Sequence, residues 1–115
     1  MGVSPILFAH CNAPAAEYLA MKYGISRQRQ DEFAARSHQN CAAAYAAGKF
    51  DWEIVPSLGR DPEGRKRPIV KDQCLRPETT VEGLGKLPPA FNPAGGSVTA
   101  GNSSPLSVGS AALLM

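Results

Sequence analysis

The sequence predicts an α+β fold with two or three helices, short strands and long connecting loops. Helix-start and helix-stop residues occur twice in the first half, around a run without proline or glycine. Short β-prone runs follow, separated by turn residues. The second half is rich in proline and glycine, which is typical of irregular, rigid connections.

The first helix is predicted to begin at Asn12, which suits an N-cap, with Pro14 in the first turn. Gly24 is expected to stop it after about ten residues. The residues expected to line its inner face are Ala15, Tyr18, Leu19 and Tyr23.

A second and longer helix is predicted from Arg27 to Ala47, with Ser26 as its N-cap and Gly48 as its stop. His38 has no partner at a useful spacing beyond Asp31, so we expect a solvated surface histidine. The stripe expected to pack against a neighbour consists of Phe33, Ser37, Cys41 and Tyr45, beside Ala34 and Ala44.

Residues 53–56 are predicted to form a short strand that Pro56 ends. A polar, hairpin-like excursion over residues 57–68 then leads to a returning strand at Ile69 and Val70. The basic cluster 65–67 has only three charges, no interleaved aromatic residue and acidic neighbours. We therefore expect a solvated loop there and no nucleic-acid partner.

The last predicted helix runs from Val81 to Lys86, with Thr79 or Thr80 as its cap. It is expected to carry Leu84 and Leu87 inward, before a proline pair ends it. Phe91 is expected to anchor the following loop, whose turn residues 92–96 lead into a β-prone run over residues 98–100.

Small residues dominate residues 98–115. Such a backbone can approach a ligand closely, because glycine has no Cβ and serine and alanine little beyond it. Asn102, Ser103 and Ser104 can supply hydrogen bonds. An ordinary turn into a buried strand would explain the same pattern.

The 115 residues suffice for one modest core, and the formal net charge of +2 does not imply a polyanionic partner. The three cysteines lie far apart without metal-ligand spacing, which favours free thiols in a reducing compartment. No apolar run approaches the roughly 20 residues that span a bilayer, so no membrane span is expected.

Four blocks of the chain resemble thiolases, the acetyl-CoA acyltransferases, in the family's order. They are Gly24–His38, Gly48–Pro56, Leu75–Phe91 and the segment Val-Thr-Ala-Gly-Asn-Ser-Ser over residues 98–104. The resemblance covers about residues 13 to 115.

The resemblance implies a helix-rich loop domain of a thiolase-like α/β fold, incomplete on its own. Residues 1–11 would be a lead-in, residues 12–104 the loop domain, and residues 105–115 the start of a strand returning to an α/β half. A lone strand at the end of the chain would lack its sheet, so we expect a fragment, a truncated product or one segment of a larger assembly.

The resemblance also implies acyl transfer between coenzyme A thioesters, by thiolytic cleavage or condensation in fatty-acid metabolism such as β-oxidation. Coenzyme A would be a substrate, and no prosthetic group is expected. The family's catalytic cysteine and histidine motifs do not occur in this sequence, so no catalytic residue is assigned and the chain alone is expected to be inactive.

The residues implied to bind coenzyme A match family positions one by one. Arg76 matches an arginine near the nucleotide end, and Ser104 matches a serine that meets the pantetheine arm. Ala100 and Ser103 match small neighbours of that arm, and Phe91 matches a phenylalanine on the tunnel wall. A surface salt bridge for Arg76 and simple core packing for Phe91 are the alternatives.

Two departures from the family pattern bear on this site: its Met-Gly pair is replaced around residues 11–13, and its Asp-Gly is Val108-Gly109. The alternative function is a non-catalytic module, kept for coenzyme binding or subunit contact. The resemblance implies self-association of the parent enzyme. It also implies a cytoplasmic location, or a mitochondrial or peroxisomal matrix in a eukaryote.

Overall fold

The structure is a computed structural model and describes residues 12–61, 63–105 and 109–114. The lead-in predicted over residues 1–11 lies outside these ranges. Within these ranges, three helices and one two-stranded sheet form, in agreement with the predicted α+β class. In chain order they are α1 (Asn12–Tyr23), α2 (Arg27–Ala46), β1 (Ser57–Arg60), β2 (Lys66–Ile69) and α3 (Val81–Gly85).

Helix α1 ends as predicted at Gly24, whose φ of 62° is in the left-handed region. The N–H of Gly24 donates to the carbonyl of Met21 at 3.4 Å, and the N–H of Ile25 donates to that of Ala20 at 2.9 Å. These two bonds satisfy carbonyls of the last turn that have no partner within the helix.

The face predicted for α1 is wrong, because Tyr18, Leu19 and Tyr23 are exposed and Ala20 is the buried residue. The ring faces of both tyrosines lie near the Lys22 ammonium instead. The inward contact of α1 is polar and is made by Glu17, as described below.

Helix α2 begins as predicted, since the Ser26 hydroxyl oxygen accepts a hydrogen bond from the Arg29 N–H at 3.2 Å. It ends one residue earlier than predicted, with Ala47 as the C-cap and Gly48 at φ 66° beyond it. The N–H groups of Gly48 and Lys49 close the last turn by donating to Tyr45 and Ala44.

The predicted stripe of α2 is wrong at Phe33 and Ser37, which are exposed, Phe33 to 65%. The helix instead buries Asp31 and Ala35. Asp31 can occupy the interface because Asn102, on the loop that begins at Ser97, provides a hydrogen-bond donor for its carboxylate.

The strand predicted over residues 53–56 is also wrong, since the first strand starts only after Pro56. The N–H groups of Glu53 and Ile54 both donate to the carbonyl of Phe50, at 3.0 and 3.1 Å. The backbone at Glu53 and Ile54 thus closes local turns after α2.

Strands β1 and β2 form an antiparallel hairpin within the predicted excursion, with Ser57 opposite Ile69 and Arg60 opposite Lys66. The position predicted for the returning strand, Ile69 and Val70, is wrong, because the strand begins at Lys66 and ends at Ile69. Asp61 holds the turn, because its Oδ1 accepts from the Arg65 N–H at 2.8 Å and its Oδ2 from Arg65 Nε at 2.9 Å. The basic cluster is exposed and faces acidic neighbours, as expected for a solvated loop.

Helix α3 is capped by Thr80, whose Oγ1 accepts from the Gly83 N–H at 3.1 Å. Leu84 is buried as predicted and Leu87 is half-buried. The buried apolar residues among those described are Ala20, Ala35, Leu84 and Val98. This core is small, so polar contacts carry much of the packing between α1, α2 and the chain after α3.

Residues 98–100 do not form the strand that their composition favours, although the carbonyl of Val98 accepts from the Ala90 N–H at 2.9 Å. Residues 109–114 are exposed and have neither helix nor strand, so the return strand stays a prediction. None of the described helices is long and apolar enough to cross a membrane.

Candidate functional site: a loop held by two carboxylates

Residues 97–104 form an irregular loop whose first part is buried and whose second part is open to solvent. Ser97, Val98 and Thr99 are buried, Thr99 completely, whereas Ser103 and Ser104 are exposed. A buried segment without regular structure must find hydrogen-bond partners outside a helix or sheet. Side chains of α1, α2 and the loop itself provide them.

Helix α1 supplies the carboxylate of Glu17. Its Oε2 accepts from the N–H and Oγ of Ser97, both at 2.9 Å, and its Oε1 accepts from the Val98 N–H at 2.9 Å. Partial burial acts to raise the pKa of Glu17, but these hydrogen bonds and the charge of Arg27 outweigh it and hold the pKa below its ordinary value. Glu17 is therefore an ionised acceptor at neutral pH.

Helix α2 supplies the carboxylate of Asp31, which is 1% exposed. Its Oδ1 accepts from the side-chain Nδ2 of Asn102 at 3.0 Å. Its Oδ2 accepts from Arg27 Nε at 2.7 Å, one turn earlier on the same helix. Both oxygens of the buried carboxylate are thus paired, as its burial requires.

The side chain of Asn102 closes the loop on itself. Its Oδ1 accepts from the Thr99 N–H at 2.8 Å, and its Nδ2 also donates to the Ser97 carbonyl at 2.9 Å. The Thr99 hydroxyl oxygen accepts from the N–H groups of Gly101 and Asn102, each at 3.3 Å. Among the described residues, no buried side-chain nitrogen or oxygen lacks a hydrogen-bond partner.

Arg27 joins this network to α3. Its NH2 group donates to the carbonyls of Leu84 at 2.7 Å, in α3, and of Leu87 at 3.1 Å, just beyond the end of α3. The loop then packs on the same two leucines. A Cβ on Gly101 would lie 2.5 Å from a methyl carbon of Leu84 and of Leu87, so only glycine fits without displacement.

The structure brings four of the five predicted site residues into the region of this loop. Ala100, Ser103 and Ser104 are exposed on the loop itself. Phe91 is 39% exposed and follows Ala90, which is bonded to the Val98 carbonyl. The loop therefore exposes small side chains to solvent, and Glu17 and Asp31 hold it by hydrogen bonds on its buried side.

Arg76 is the predicted site residue outside the loop. It is exposed, and its backbone N–H donates to His38 Nδ1 at 3.3 Å. The prediction of a solvated histidine is therefore wrong, because His38 is half-buried and binds the segment that carries Arg76. His38 lies seven residues beyond Asp31 on α2, which is about 10 Å along the helix axis.

Sequence reasoning missed Glu17, Arg27 and Asp31 as the residues that hold the loop. The Arg27–Asp31 spacing of four positions is a recognisable signal, but it is typical of exposed helix pairs and does not indicate burial. Glu17 has no such signal, because its acceptor role depends on residues 80 and 81 positions away.

Within the described ranges, no three His, Cys, Asp or Glu side chains are grouped so as to hold a metal ion. Cys41 is half-buried and Cys74 exposed, both as free thiols, whereas Cys11 lies outside those ranges. The described part of the loop thus presents hydroxyl and backbone groups to solvent.

Comparison with known proteins shows the family of this chain. A family model described as the N-terminal domain of thiolase matches residues 3–115. The chain therefore belongs to the thiolase family, as its four sequence blocks predict.

Curated relatives include the 3-ketoacyl-CoA thiolases of Cronobacter sakazakii and Pseudoalteromonas translucida. Each is 55% identical over 100 residues, which are 87% of this chain and 26% of the relative. The chain thus spans about a quarter of the length of these relatives.

Two solved structures show the same local fold. Human mitochondrial 3-ketoacyl-CoA thiolase in complex with CoA matches with a TM-score of 0.65 and 44% identity, over 75% of this chain and 20% of that one. The acetyl-CoA acetyltransferase of Bacillus anthracis matches with a TM-score of 0.70 and 43% identity, over 79% and 23%. These two matches show that the described part of the chain has a thiolase-like fold.

Proposed function

We propose that this chain is the coenzyme A-binding segment of a thiolase that moves acyl groups between coenzyme A thioesters. The reaction would be thiolytic cleavage of a 3-oxoacyl thioester or the reverse condensation. Coenzyme A and its thioesters would be substrates, with no prosthetic group.

One observation carries the proposal: the loop with Ala100, Ser103 and Ser104 exposes small side chains while its backbone is held by Glu17 and Asp31. A held backbone loses little conformational freedom when a ligand binds, so more of the contact energy appears as affinity. Small side chains leave room for a narrow polar chain such as the pantetheine arm.

The position of Arg76 fits the other end of the same ligand. Coenzyme A carries phosphates at its nucleotide end, and an exposed guanidinium binds phosphate through its fork of donors. The contact with His38 holds the Arg76 segment about 10 Å further along α2 than the loop contact with Asp31. The two places thus suit an elongated ligand. The related human mitochondrial enzyme was solved in complex with CoA, which supports this choice.

The acyl-transfer step itself is assigned to no residue of this chain. A covalent acyl transfer needs an activated thiolate, a base and donors for the developing oxyanion. The Gly-His-Pro and Cys-x-Gly-Gly motifs of the family are absent from the sequence. Binding and turnover therefore require separate experiments.

Binding is tested by calorimetric titration of coenzyme A into the 115-residue chain and its variants Ser104→Ala and Arg76→Ala. We expect saturable binding that each substitution weakens about tenfold, the change that ~1.4 kcal/mol produces. Ser37→Ala and Arg29→Ala are the matched controls, because both residues are exposed on α2 outside the loop.

Turnover is tested by grafting the chain into the Cronobacter sakazakii enzyme in place of the 100 residues it matches. An active graft whose KM for coenzyme A rises with Ser104→Ala supports the enzyme. Unchanged affinity and KM in both site variants would overturn the proposal. Binding by the chain together with an inactive graft would favour the non-catalytic module.

Self-association of the full enzyme and its location in the cytoplasm, or in a mitochondrial or peroxisomal matrix, remain predictions from the family resemblance. Sedimentation of the active graft alongside the parent enzyme would test the first of them.

A further inference from the structure

We propose that Asp31 and Asn102 are positioning residues for coenzyme A, an inference that rests on the proposed function. Neither side chain is assigned a contact with the ligand. Their hydrogen bond would set the shape of the loop that presents Ala100, Ser103 and Ser104, and thereby the affinity for the coenzyme.

The hydrogen-bond pattern requires an amide at position 102. The Asn102 side chain donates twice, to Asp31 Oδ1 at 3.0 Å and to the Ser97 carbonyl at 2.9 Å, and accepts once, from the Thr99 N–H at 2.8 Å. An aspartate has the same shape but offers only acceptors when ionised. It would place a second carboxylate oxygen against that of Asp31 inside the protein.

Asp31 cannot move away from the repulsion between two such carboxylate oxygens. It is 1% exposed, and Arg27 holds its other oxygen at 2.7 Å. Arg27 is itself fixed by the carbonyls of Leu84 and Leu87. The strain would therefore fall on the loop, which is the more adjustable partner because no helix or strand constrains it.

Asp31 and Asn102 are connected through α2 to both ends of the predicted coenzyme surface, which are the loop with Ser104 and the segment with Arg76. Helix α2 binds the loop through Asp31 and the Arg76 segment through His38. One turn before Asp31, Arg27 binds the end of α3. The distance from Arg76 to Ser104 is thus set on one rigid helix, and the bond from Asp31 to Asn102 is the loop's side-chain attachment to that helix.

The experiment compares four forms of the full chain by coenzyme A calorimetry: the wild type, Asn102→Asp, Asp31→Asn and the double variant. The same substitutions in the graft give KM and kcat separately. In the double variant, the amide at position 31 donates to the carboxylate at position 102, which still accepts from the Thr99 N–H. The bond to the Ser97 carbonyl is lost, and a carboxylate oxygen of residue 102 faces that carbonyl oxygen instead.

We expect Asn102→Asp to weaken coenzyme A binding at least about tenfold and Asp31→Asn to weaken it less. The double variant should recover most of the affinity that Asn102→Asp loses. In the graft, the effect should appear in KM for coenzyme A more than in kcat. The matched control is Asn40→Asp, which makes the same substitution at an exposed position of α2.

The recovery distinguishes positioning from general loss of stability, because a second destabilising change would only weaken binding further. Wild-type affinity in Asn102→Asp and Asp31→Asn, with Ser104→Ala still weakened, would overturn this inference and leave the proposed function standing. Wild-type affinity in Ser104→Ala and Arg76→Ala as well would overturn the proposed function itself. If Asn102→Asp fails to fold, Asp31→Asn and the double variant decide the matter through KM.

Discussion

Glu17 and Ser97 are joined by three hydrogen bonds across 80 positions of the chain. The Ser97 N–H donates to both carboxylate oxygens, at 3.0 and 2.9 Å, and the Ser97 hydroxyl donates to Oε2 at 2.9 Å. This contact holds the start of the loop against α1, and the bond between Asp31 and Asn102 holds its end against α2.

Replacing Glu17 by glutamine should release the start of the loop. The glutamine side chain has one acceptor oxygen, and its NH2 group would face the N–H donors of Ser97 and Val98. We expect a loss of about 1 to 3 kcal/mol in the free energy of unfolding at neutral pH, the cost of leaving buried donors unpaired. Urea unfolding measures this loss, and amide hydrogen exchange at Ser97 and Val98 should accelerate. Glu32→Gln, at an exposed position of α2, is the control; equal exchange in both variants would contradict the role of Glu17.

The lowered pKa of Glu17 predicts a pH dependence of the same free energy. A carboxyl group whose pKa is lower in the folded state stabilises that state fully above its ordinary pKa of 4.5, and this contribution is lost as the pH falls through the lowered value. The difference in stability between wild type and Glu17→Gln should therefore shrink below about pH 4.5. A difference that stays constant down to about pH 2 would refute this assignment.

Gly101→Ala should disturb the contact between the loop and α3. The added Cβ would lie 2.5 Å from methyl carbons of both Leu84 and Leu87, which are packed against the helices. Overpacking of this kind costs about 1 to 3 kcal/mol, and coenzyme A affinity should fall with it. Gly85→Ala is the matched control, because its Cβ would meet nothing within 4 Å and the change should be neutral or slightly stabilising. Similar melting temperatures for the two variants would count against the packing described here.

Arg27→Lys tests whether the positive charge at position 27 is sufficient or whether the planar guanidinium group is needed. Lysine keeps the positive charge beside Asp31 but lacks the planar fork that reaches Asp31 and the carbonyls of Leu84 and Leu87 together. We expect a loss of about 1 to 2 kcal/mol, from hydrogen bonds that are no longer made. Arg29→Lys, at an exposed position of the same helix, should have no effect. Unfolding at different salt concentrations would show whether the remaining contact behaves as a simple ion pair, and full stability in Arg27→Lys would contradict the role of the fork.

The sequence predicts the ends of the helices well, because each end depends on nearby residues. Ser26 caps α2 through an N–H three residues away, and Gly24 and Gly48 close their helices through bonds within one turn. The hairpin-like excursion over residues 57–68 is predicted for the same reason, although the strands that form it lie at other positions than predicted. Contacts between residues that are close in the chain can be recognised from the sequence around them.

The faces of the helices could not be predicted in this way. Hydrophobicity favours Phe33 in the interface of α2, whereas the structure exposes it and buries Asp31. One oxygen of Asp31 is paired by Arg27 on the same helix, and the other is paired by Asn102 from 71 positions away. The positions of the predicted coenzyme residues came from the family pattern, and the residues that hold them in place are visible only once the helices are packed.

The long separation of these contacts has a consequence for how the protein folds. The helix caps and the hairpin close short segments, whereas the loop is tied to α1 and α2 across 71 to 81 residues. Closing a segment of about 80 residues rather than about 10 costs roughly 2 kcal/mol more in chain entropy. We therefore expect the helices and the hairpin to form early and the loop to dock late, when both carboxylates are already in place. A folding intermediate would thus have its helices but not the loop in place, so the last step of folding would also be the step that creates the proposed binding site.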